Sequence, residues 1–413
     1  MALETPSFAS SSKAGIHIQI VRSDTDWDRL QNQWRDLFDA SPSAAAPLRF
    51  EWLREWWRIY GPAYGRREQS LHIITVHRGS HLIGALPLYE CAPRGPSFVV
   101  RRLAFLSSCE RETEETCADY LNLLYRPGEE QVCLDAIQHL LTSQDQIRWD
   151  ELILDRVPAS SPLLRWRDGF PPRFRAEVIP AGACALSDLS RGLEHYLRQL
   201  SPAARKECRR SLARAQRSGA SFEVASDPPS VEEFFDQMIQ LHQNRWHAVG
   251  KPGCFASPRF TQFHRTLARR WVPIGKAILA RLSLNGQPLS VVYGTVVRGK
   301  FDCYIQGTAM HSPLVHSPGT ALLLLLREHL VEVGLTVYDD LLARASSPKH
   351  RFATSSIPLV QMHIVRTGVR TALHNTSDLI HRASRKCWRL LATCAALHGH
   401  ATSIISPISD TSS

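Results

Sequence analysis

Apolar residues recur first at helical spacing and then in strand-length runs, and this order is met twice along the chain. In the first half, Trp27, Leu30, Trp34 and Leu37 mark one face of a helix over Asp26–Phe38, and Arg49 to Trp57 begins another. Leu71–Val76 and His81–Tyr89 are strand-like runs around the turn Arg78-Gly79-Ser80. After Tyr120–Tyr125, Pro127-Gly128 precedes a helical pattern to Leu141, and Trp149–Leu154 closes the unit as a short strand. In the second half, Phe234, Phe235, Met238 and Leu241 mark a helix over Val231–Trp246, and Arg259-Phe260 opens a further helix ending near Trp271. Ala277–Leu284 and Leu289–Val297 flank Asn285-Gly286, the strongest short hairpin signal. Phe301–Gly307 follows the turn Gly299-Lys300. Ser317-Pro318-Gly319 then precedes a helix to Val333, which Gly334 stops, and Thr336–Leu342 closes the unit.

Matching landmarks such as Gly79 and Gly286, or Phe50 and Phe260, lie 207 to 210 residues apart, so the pattern reads as an internal duplication. It predicts an α/β fold of two tandem domains, residues 16–180 and 181–365, each with a mixed central sheet flanked by helices. Arg156–Ala183, rich in Pro and Arg, reads as the connection. Residues 366–413 read as a basic tail with one helical pattern, Leu379–Leu397, and a polar, frayed end.

Composition agrees: 413 residues, 44% hydrophobic and 21% charged, can bury two cores and do not describe a disordered chain. The first twenty residues lack the apolar stretch of a secretory leader. The most apolar run, Ala321–Leu326, is far short of the ~18–20 residues of a membrane span. Ten scattered cysteines without a CxxC pair point to reduced thiols in a cytoplasmic protein and to no metal site.

The net charge of +10 is concentrated. Arg205–Arg217 carries six positive charges and one negative, and residues 364–413 carry six Lys or Arg against two Asp. A solvated helix would intersperse acids, so Arg205, Arg209 and Arg210 are candidates for holding an anionic partner. No helix-turn-helix, zinc finger or aromatic platform accompanies them, which argues against DNA. The basic tail is equally suited to peripheral contact with an anionic membrane.

Ser317-Pro318-Gly319-Thr320 is the most informative local motif. Ser is a preferred cap, Pro suits the first helical position, and Gly allows close approach. The start of a buried helix offers N–H groups to a phosphate, and most such starts are only caps. On the preceding strand Asp302, Tyr304 and Gln306 share a face, which either lines a cleft or is the solvated side of the sheet. Asp339 and Asp340 fall on opposite faces of the closing strand, and His311 and His316 lie just before Ser317. No GxSxG, HExxH or P-loop occurs.

The chain resembles the BioF2-like acetyltransferase domain proteins, a branch of the GNAT superfamily often described in cellulose biosynthesis. The likeness is carried by Phe50-Glu51-Trp52-Leu53 with Trp56-Trp57, Leu82 to Tyr89, and Asp119-Tyr120-Leu121. The basic helix after Leu200-Ser201, Leu241-His242 with Arg245-Trp246, and Ser317-Pro318-Gly319 complete it. It covers about residues 17 to 365 and implies two fused GNAT-like (acyl-CoA N-acyltransferase) folds, similar to the peptidoglycan aminoacyl transferases. The implied reaction is acyl transfer from acetyl-CoA or another acyl-CoA to an amine or hydroxyl acceptor, a sugar among the candidates. The pyrophosphate would meet Ser317, Gly319 and Thr320. A backbone N–H near Tyr304 to Gln306 would hold the oxyanion, and Trp246 and Lys349 would belong to the substrate site.

One departure bears on catalysis. Where the family commonly has Asp-Phe-Leu-x-Gly-x-Glu-x-Tyr-Lys, this chain runs Asp340 to Lys349 with Arg344, Ser346 and Pro348 in place of the Gly, Glu and Tyr. Asp340 and His316 are then the candidate bases, with Tyr304 beside them. Transfer of an aminoacyl group from tRNA, or a degenerate scaffold beside a polysaccharide synthase, are the alternatives.

Overall fold

The computed structural model describes residues 15–66, 70–92, 100–143, 145–310, 317–343 and 348–368. The first half holds β1 (Ile16–Val21), α1 (Asp24–Arg29), α2 (Gln31–Ala40), α3 (Phe50–Tyr64), β2 (Leu71–Arg78), β3 (His81–Cys91), β4 (Arg102–Phe105), β5 (Leu124–Tyr125), α4 (Glu130–Ser143) and β6 (Glu151–Pro158). Then come α5 (Trp166–Gly169), β7 (Phe174–Asp188), α6 (Leu193–Gln199), α7 (Pro202–Arg217) and β8 (Ser221–Val224). The second half continues with α8 (Pro228–Ala248), α9 (Pro258–Trp271), β9 (Ala277–Leu284), β10 (Gln287–Val297), β11 (Lys300–Thr308), α10 (Pro318–Glu332), β12 (Val337–Ala343) and β13 (Ser355–Arg366).

Local chemistry accounts for these elements. Asp227 caps α8 by accepting from Ser230 N at 2.8 Å, and Ser230 Oγ accepts from Asp227 N at 3.2 Å. Asn285 and Gly286 both take positive φ, 50° and 76°, as the tight hairpin between β9 and β10 requires. Helices α3 and α9 meet through aromatic rings: Trp52 stacks on Trp271 at 6.1 Å and meets Phe263 edge-on at 5.0 Å. Both tryptophans are fully buried, and burial of a large apolar side chain stabilises by about 1.5–3 kcal/mol. This contact joins a helix of the first half to a helix of the second.

The main sheet runs β1-β2-β3-β4-β6-β13-β7-β12-β11-β10-β9-β8, with β5 beside β3. The order is the same read from either edge once each strand is replaced by its counterpart in the other half. Each half has one parallel pair, β4 with β6 and β11 with β12. The strand that follows each pair crosses over: β7 pairs with β12, and β13 returns to pair with β6. Between them β7 and β13 form a long antiparallel ladder. The duplication is therefore visible as a sheet with two related wings, joined by exchanged strands.

Two sequence readings are corrected here. Arg156–Ala183 is not a plain connection, because most of it is β6, α5 and β7. Its richness in Pro and Arg had suggested a connection, yet β7 runs through Pro180 and Gly182, where the ladder shifts register and passes over Ala181. A bulge is where a strand tolerates a proline and a glycine. The two expected sheets are also one continuous sheet. The helical pattern in Leu379–Leu397 lies outside the described residues.

Candidate functional site

The site is made where β11 and β12 part. Their parallel pairing covers only Lys300–Asp302 against Val337–Asp339, and beyond it the strands diverge. Each strand has its own irregularity at that point. On β11, Tyr293 pairs with Ile305 and Gly294 with Cys303, so Tyr304 is an extra residue. This bulge needs Gly294, because a Cβ there would lie 2.2 Å from Phe301 Cζ and 2.3 Å from the Asp302 carbonyl oxygen. On β12, Leu341 takes φ 58° and the register against β7 shifts between Asp339 and Leu342.

Buried charges from both halves hold the divergence. Asp339, fully buried, accepts from Leu341 N at 2.8 Å, from Lys300 Nζ at 2.9 Å and from the Tyr120 hydroxyl. Asp119 accepts from Leu342 N at 2.7 Å and from Arg156 at 2.7 Å. Lys300 also lies 2.6 Å from Asp302 and 4.0 Å from the centre of the Tyr120 ring. Burial opposes its charge, but Asp302 and Asp339 outweigh that, and its pKa is raised. Of the two amides that the β12 bulge frees, Asp339 itself takes that of Leu341 and Asp119 of the first half takes that of Leu342.

Between the strands lies a cleft of about 490 Å³. Its walls include Tyr304, Ile305 and Gln306 of β11, Thr320 and Arg327 of α10, and Asp340 of β12. Helix α8 adds His242, Arg245 and Trp246. The first half adds Glu112, Glu115 and Cys117. Helix α10 starts at its rim. Ser317 is in the left-handed region at φ 55° and makes no side-chain cap, contrary to the capping role its sequence suggested. The first intrahelical bond is Ala321 N to Ser317 O at 3.1 Å, so the amides of Gly319 and Thr320 have no helical acceptor. A Cβ on Gly319 would lie 3.0 Å from Thr308 Oγ1 and 3.2 Å from Gln306 Nε2. Gln306 donates to the Gly319 carbonyl at 3.2 Å. Glycine here lets the helix start sit against β11, and the arrangement can take an anion at one end and a polarised carbonyl at the other.

The structure thus brings Tyr304, Gln306, Ser317, Gly319, Thr320, Asp340 and Trp246 to one region. Trp246 Nε1 donates to His242 Nε2 at 2.8 Å. Asp340 is 5% exposed and stands 3.6 Å from Arg327. The Tyr304 hydroxyl is enclosed and has no hydrogen-bond partner among the described residues. Burial raises its pKa well above that of a free phenol. Arg205, Arg209 and Arg210 are not brought to the cleft. Helix α7 turns Cys208 toward it and presents Arg209 and Arg210 to solvent, with Arg209 2.9 Å from Glu194. His316 and the Lys349 side chain lie outside the described residues.

Sequence reasoning passed over three features. Arg327, 3% exposed, lies 3.6 Å from the centre of the Tyr338 ring and 5.3 Å from that of Tyr196. Its one signal was a lone cation in an apolar helix. His264 is fully buried against Tyr304 at 4.5 Å, with neither ring nitrogen partnered among the described residues, and burial pushes its pKa down to about 3. The third is the loop after β4, whose run Glu110-Arg111-Glu112-Thr113-Glu114-Glu115 was in plain sight.

Among the described residues the first half does not repeat this arrangement. Strand β4 pairs with β3 without a bulge, and α4 opens after Glu129 with Glu130 in its first turn. Negative charge at a helix start is unsuited to an anion.

Residues 202–345 match the profile of the family described as acetyltransferase (GNAT) domain. No curated protein matches the chain. Among solved structures, a conserved protein of unknown function from Bacteroides thetaiotaomicron VPI-5482 is similar at TM-score 0.55 and 10% identity, over 85% of this chain and 100% of that one. FemX is similar at TM-score 0.55 and 11% identity, over 84% and 98%. A tandem GNAT protein from the clavulanic acid biosynthesis pathway gives TM-score 0.45 and 17% identity, over 86% and 99%. The two structures at TM-score 0.55 share the fold along most of this chain.

Proposed function

We propose that this α/β fold of two GNAT-like units is an acyltransferase that moves an acetyl or other acyl group from acyl-CoA to an amine or hydroxyl acceptor. The second half carries the acyl-CoA, in line with the span of the family match. One observation supports this reading above the rest: the bulged β11, the divergent β12 and the uncapped start of α10 converge on one cleft.

In this reading the pyrophosphate meets the Gly319 and Thr320 amides at the positive end of α10. The pantetheine arm lies between β11 and β12. The thioester carbonyl points at the backbone N–H groups of the Tyr304 to Gln306 bulge, which stabilise the oxyanion that forms on attack. These donors are fixed by Gly294 and by the Asp339 and Asp119 clamps, so they need no reorganisation during reaction. The Tyr304 phenol stays protonated and acts as a hydrogen-bond donor, not as a proton acceptor. Trp246 and His242 form the wall opposite, and Lys349 belongs to the acceptor side. Acceptors in polysaccharide or envelope biosynthesis remain within this reading.

Calorimetric titration of the full chain with acetyl-CoA and CoA tests it. Saturable heat is expected for both, with a rise in melting temperature. Neither heat nor thermal shift at millimolar ligand would overturn the reading.

A second reading, aminoacyl transfer from tRNA, is favoured by the outer face of α7, where Lys206, Arg210, Arg214 and Arg217 are all exposed. It expects RNA to co-purify and to leave with a steep dependence on salt. A membrane contact is also open to this face, and among the described residues no helix is long and apolar enough to cross a membrane.

A further inference from the structure

We propose that Cys254 is a nucleophile that takes the acyl group from acyl-CoA as a thioester, with His242 as its base and Gln243 holding the imidazole. This rests on the acyl-transfer reading above and goes beyond it: the acyl group is handed over in two steps and does not pass directly to the acceptor.

Four thiols line the cleft between β11 and β12: Cys117, Cys208, Cys254 and Cys303. Cys208 and Cys303 are buried, and Cys117 is exposed beside the charges of Glu115, Asp119 and Arg156. Cys254 is half-buried and has an imidazole in reach, with His242 Nε2 3.5 Å from its Sγ. A thiol, an adjacent base and a third group that orients the base are the parts of a nucleophilic site.

The third group is Gln243. Its Nε2 donates to the Pro252 carbonyl at 2.7 Å, which leaves Oε1 facing His242 Nδ1 at 3.1 Å. An amide oxygen only accepts, so Nδ1 carries the ring proton and Nε2 the lone pair. Trp246 gives the same answer independently. Its Nε1–H is a donor only, and it meets His242 Nε2 at 2.8 Å. The Cys254 Sγ–H thus faces the acceptor nitrogen of a neutral ring. Gly253, at φ 69°, allows this close approach, since a Cβ there would stand 2.3 Å from Gln243 Oε1 and 3.2 Å from Trp246 Cβ. Phe255 meets the imidazole edge-on at 5.1 Å and holds it from a further side.

The pair is seated at the β11 bulge. Gly307, one residue past Gln306, lets α8 sit directly on the strand. A Cβ there would be 2.5 Å from the Met238 carbonyl oxygen and 3.1 Å from His242 N. His242 and Cys254 therefore share the cleft with the Tyr304–Gln306 stretch, to which the thioester carbonyl is assigned above. Electrostatics set the mode of attack. Burial pushes the Cys254 thiol up to about 12, and burial with the nearby Arg245 lowers the His242 pKa. At pH 7 both groups are neutral. The proton must then be drawn off during attack, as from a serine hydroxyl, and no standing thiolate is involved.

Both steps balance. His242 Nε2 takes the Cys254 proton while Sγ attacks the thioester carbon. The tetrahedral oxyanion collapses, the C–S bond to CoA breaks, and the departing sulfur takes the proton from the imidazolium. One thioester replaces another, so no further co-reactant is needed. In the second step the amine or hydroxyl acceptor gives its proton to His242 Nε2 and attacks the Cys254 thioester. The bond from the acyl carbon to Sγ breaks, and Sγ takes the proton back.

The test uses the full chain with acetyl-CoA and isotopically labelled CoA, and no acceptor. A two-step enzyme passes acetyl to labelled CoA through Cys254, whereas direct transfer gives no exchange. Exchange is expected. With acetyl-CoA alone, acid quenching and peptide mapping should find a hydroxylamine-labile acetyl group on Cys254. His242→Gln should slow exchange about 100-fold at pH 7, as loss of a general base does, with acetyl-CoA affinity unchanged. Cys254→Ala should abolish exchange and still bind acetyl-CoA in calorimetry. If the parent binds acetyl-CoA but shows neither exchange nor acetyl on Cys254, the inference falls while the acyl-transfer reading stands. Those two measurements need no variant to fold. An acetyl group mapped to Cys117 in place of Cys254, exchange that persists in Cys254→Ala, or His242→Gln within twofold of the parent overturns it equally. A parent chain that binds no acetyl-CoA overturns both.

Discussion

Replacing Gly294 by alanine probes the bulge on which the proposed chemistry depends. The added methyl would meet Phe301 Cζ at 2.2 Å, Phe301 Cε2 at 2.5 Å and the Asp302 carbonyl oxygen at 2.3 Å. The ring can rotate aside, but the carbonyl belongs to the backbone that forms the bulge. Relief therefore requires β11 to shift against β10. Overpacking of a buried site costs about 1–3 kcal/mol. The functional effect should be larger. If the bulge aims one N–H at the developing oxyanion, moving it should cost about 2.7–4 kcal/mol of transition-state stabilisation, a fall of 10²–10³ in kcat. Urea unfolding measures the first quantity, and release of free thiol from acetyl-CoA in the presence of an amine measures the second. Gly294→Ala with unchanged unfolding midpoint and unchanged turnover would refute the link between glycine, bulge and catalysis.

Other outcomes follow from the same structure. Arg327→Met leaves Asp340 buried without its cation and should cost about 3–5 kcal/mol, with Asp340→Asn in the same chain restoring part of it in urea unfolding. Gly319→Val places methyl groups against Thr308 and Gln306, so acetyl-CoA affinity should fall at least tenfold by calorimetry while the fold is kept. His264 titrates near 6.5 in an unfolded chain but near 3 in the fold. Between those values the unfolded chain binds more protons, so stability falls as pH drops through the window, by up to about 1.4 kcal/mol per pH unit from this group. The difference in unfolding free energy between the parent and His264→Leu should carry that slope, and a flat difference between pH 6.5 and 3 would contradict it.

Much of the fold was legible because it rests on local rules. Helix faces such as Phe234, Phe235 and Met238, and the Asn285-Gly286 hairpin, are written in short-range spacing. The exchange of β7 and β13 was not, since a strand's partner in a distant wing leaves no periodic mark, and Pro180 with Gly182 imitate a loop. Strand alternation and a helix-start motif had pointed to Tyr304, Gln306, Gly319, Thr320 and Asp340, which the structure places around one cleft. The basic run of α7 was legible as a cluster of charge, but not its direction: Arg209 and Arg210 face solvent and not the cleft, because charge density does not say which way a helix faces. That Glu112, Glu115 and Cys117 line the cleft was hidden for a related reason: their loop is anchored at Trp56, Tyr64 and Ser257, which are remote in sequence.

The central claim is that acyl-CoA lies between β11 and β12 of the second half. Amide hydrogen exchange on the full chain, with and without saturating acetyl-CoA, tests it most directly. Protection should appear at Tyr304–Gln306 and Gly319–Leu322, with β4 and the start of α4 unchanged. Protection confined to β4 and α4, with none at the β11 bulge or the start of α10, would contradict the account.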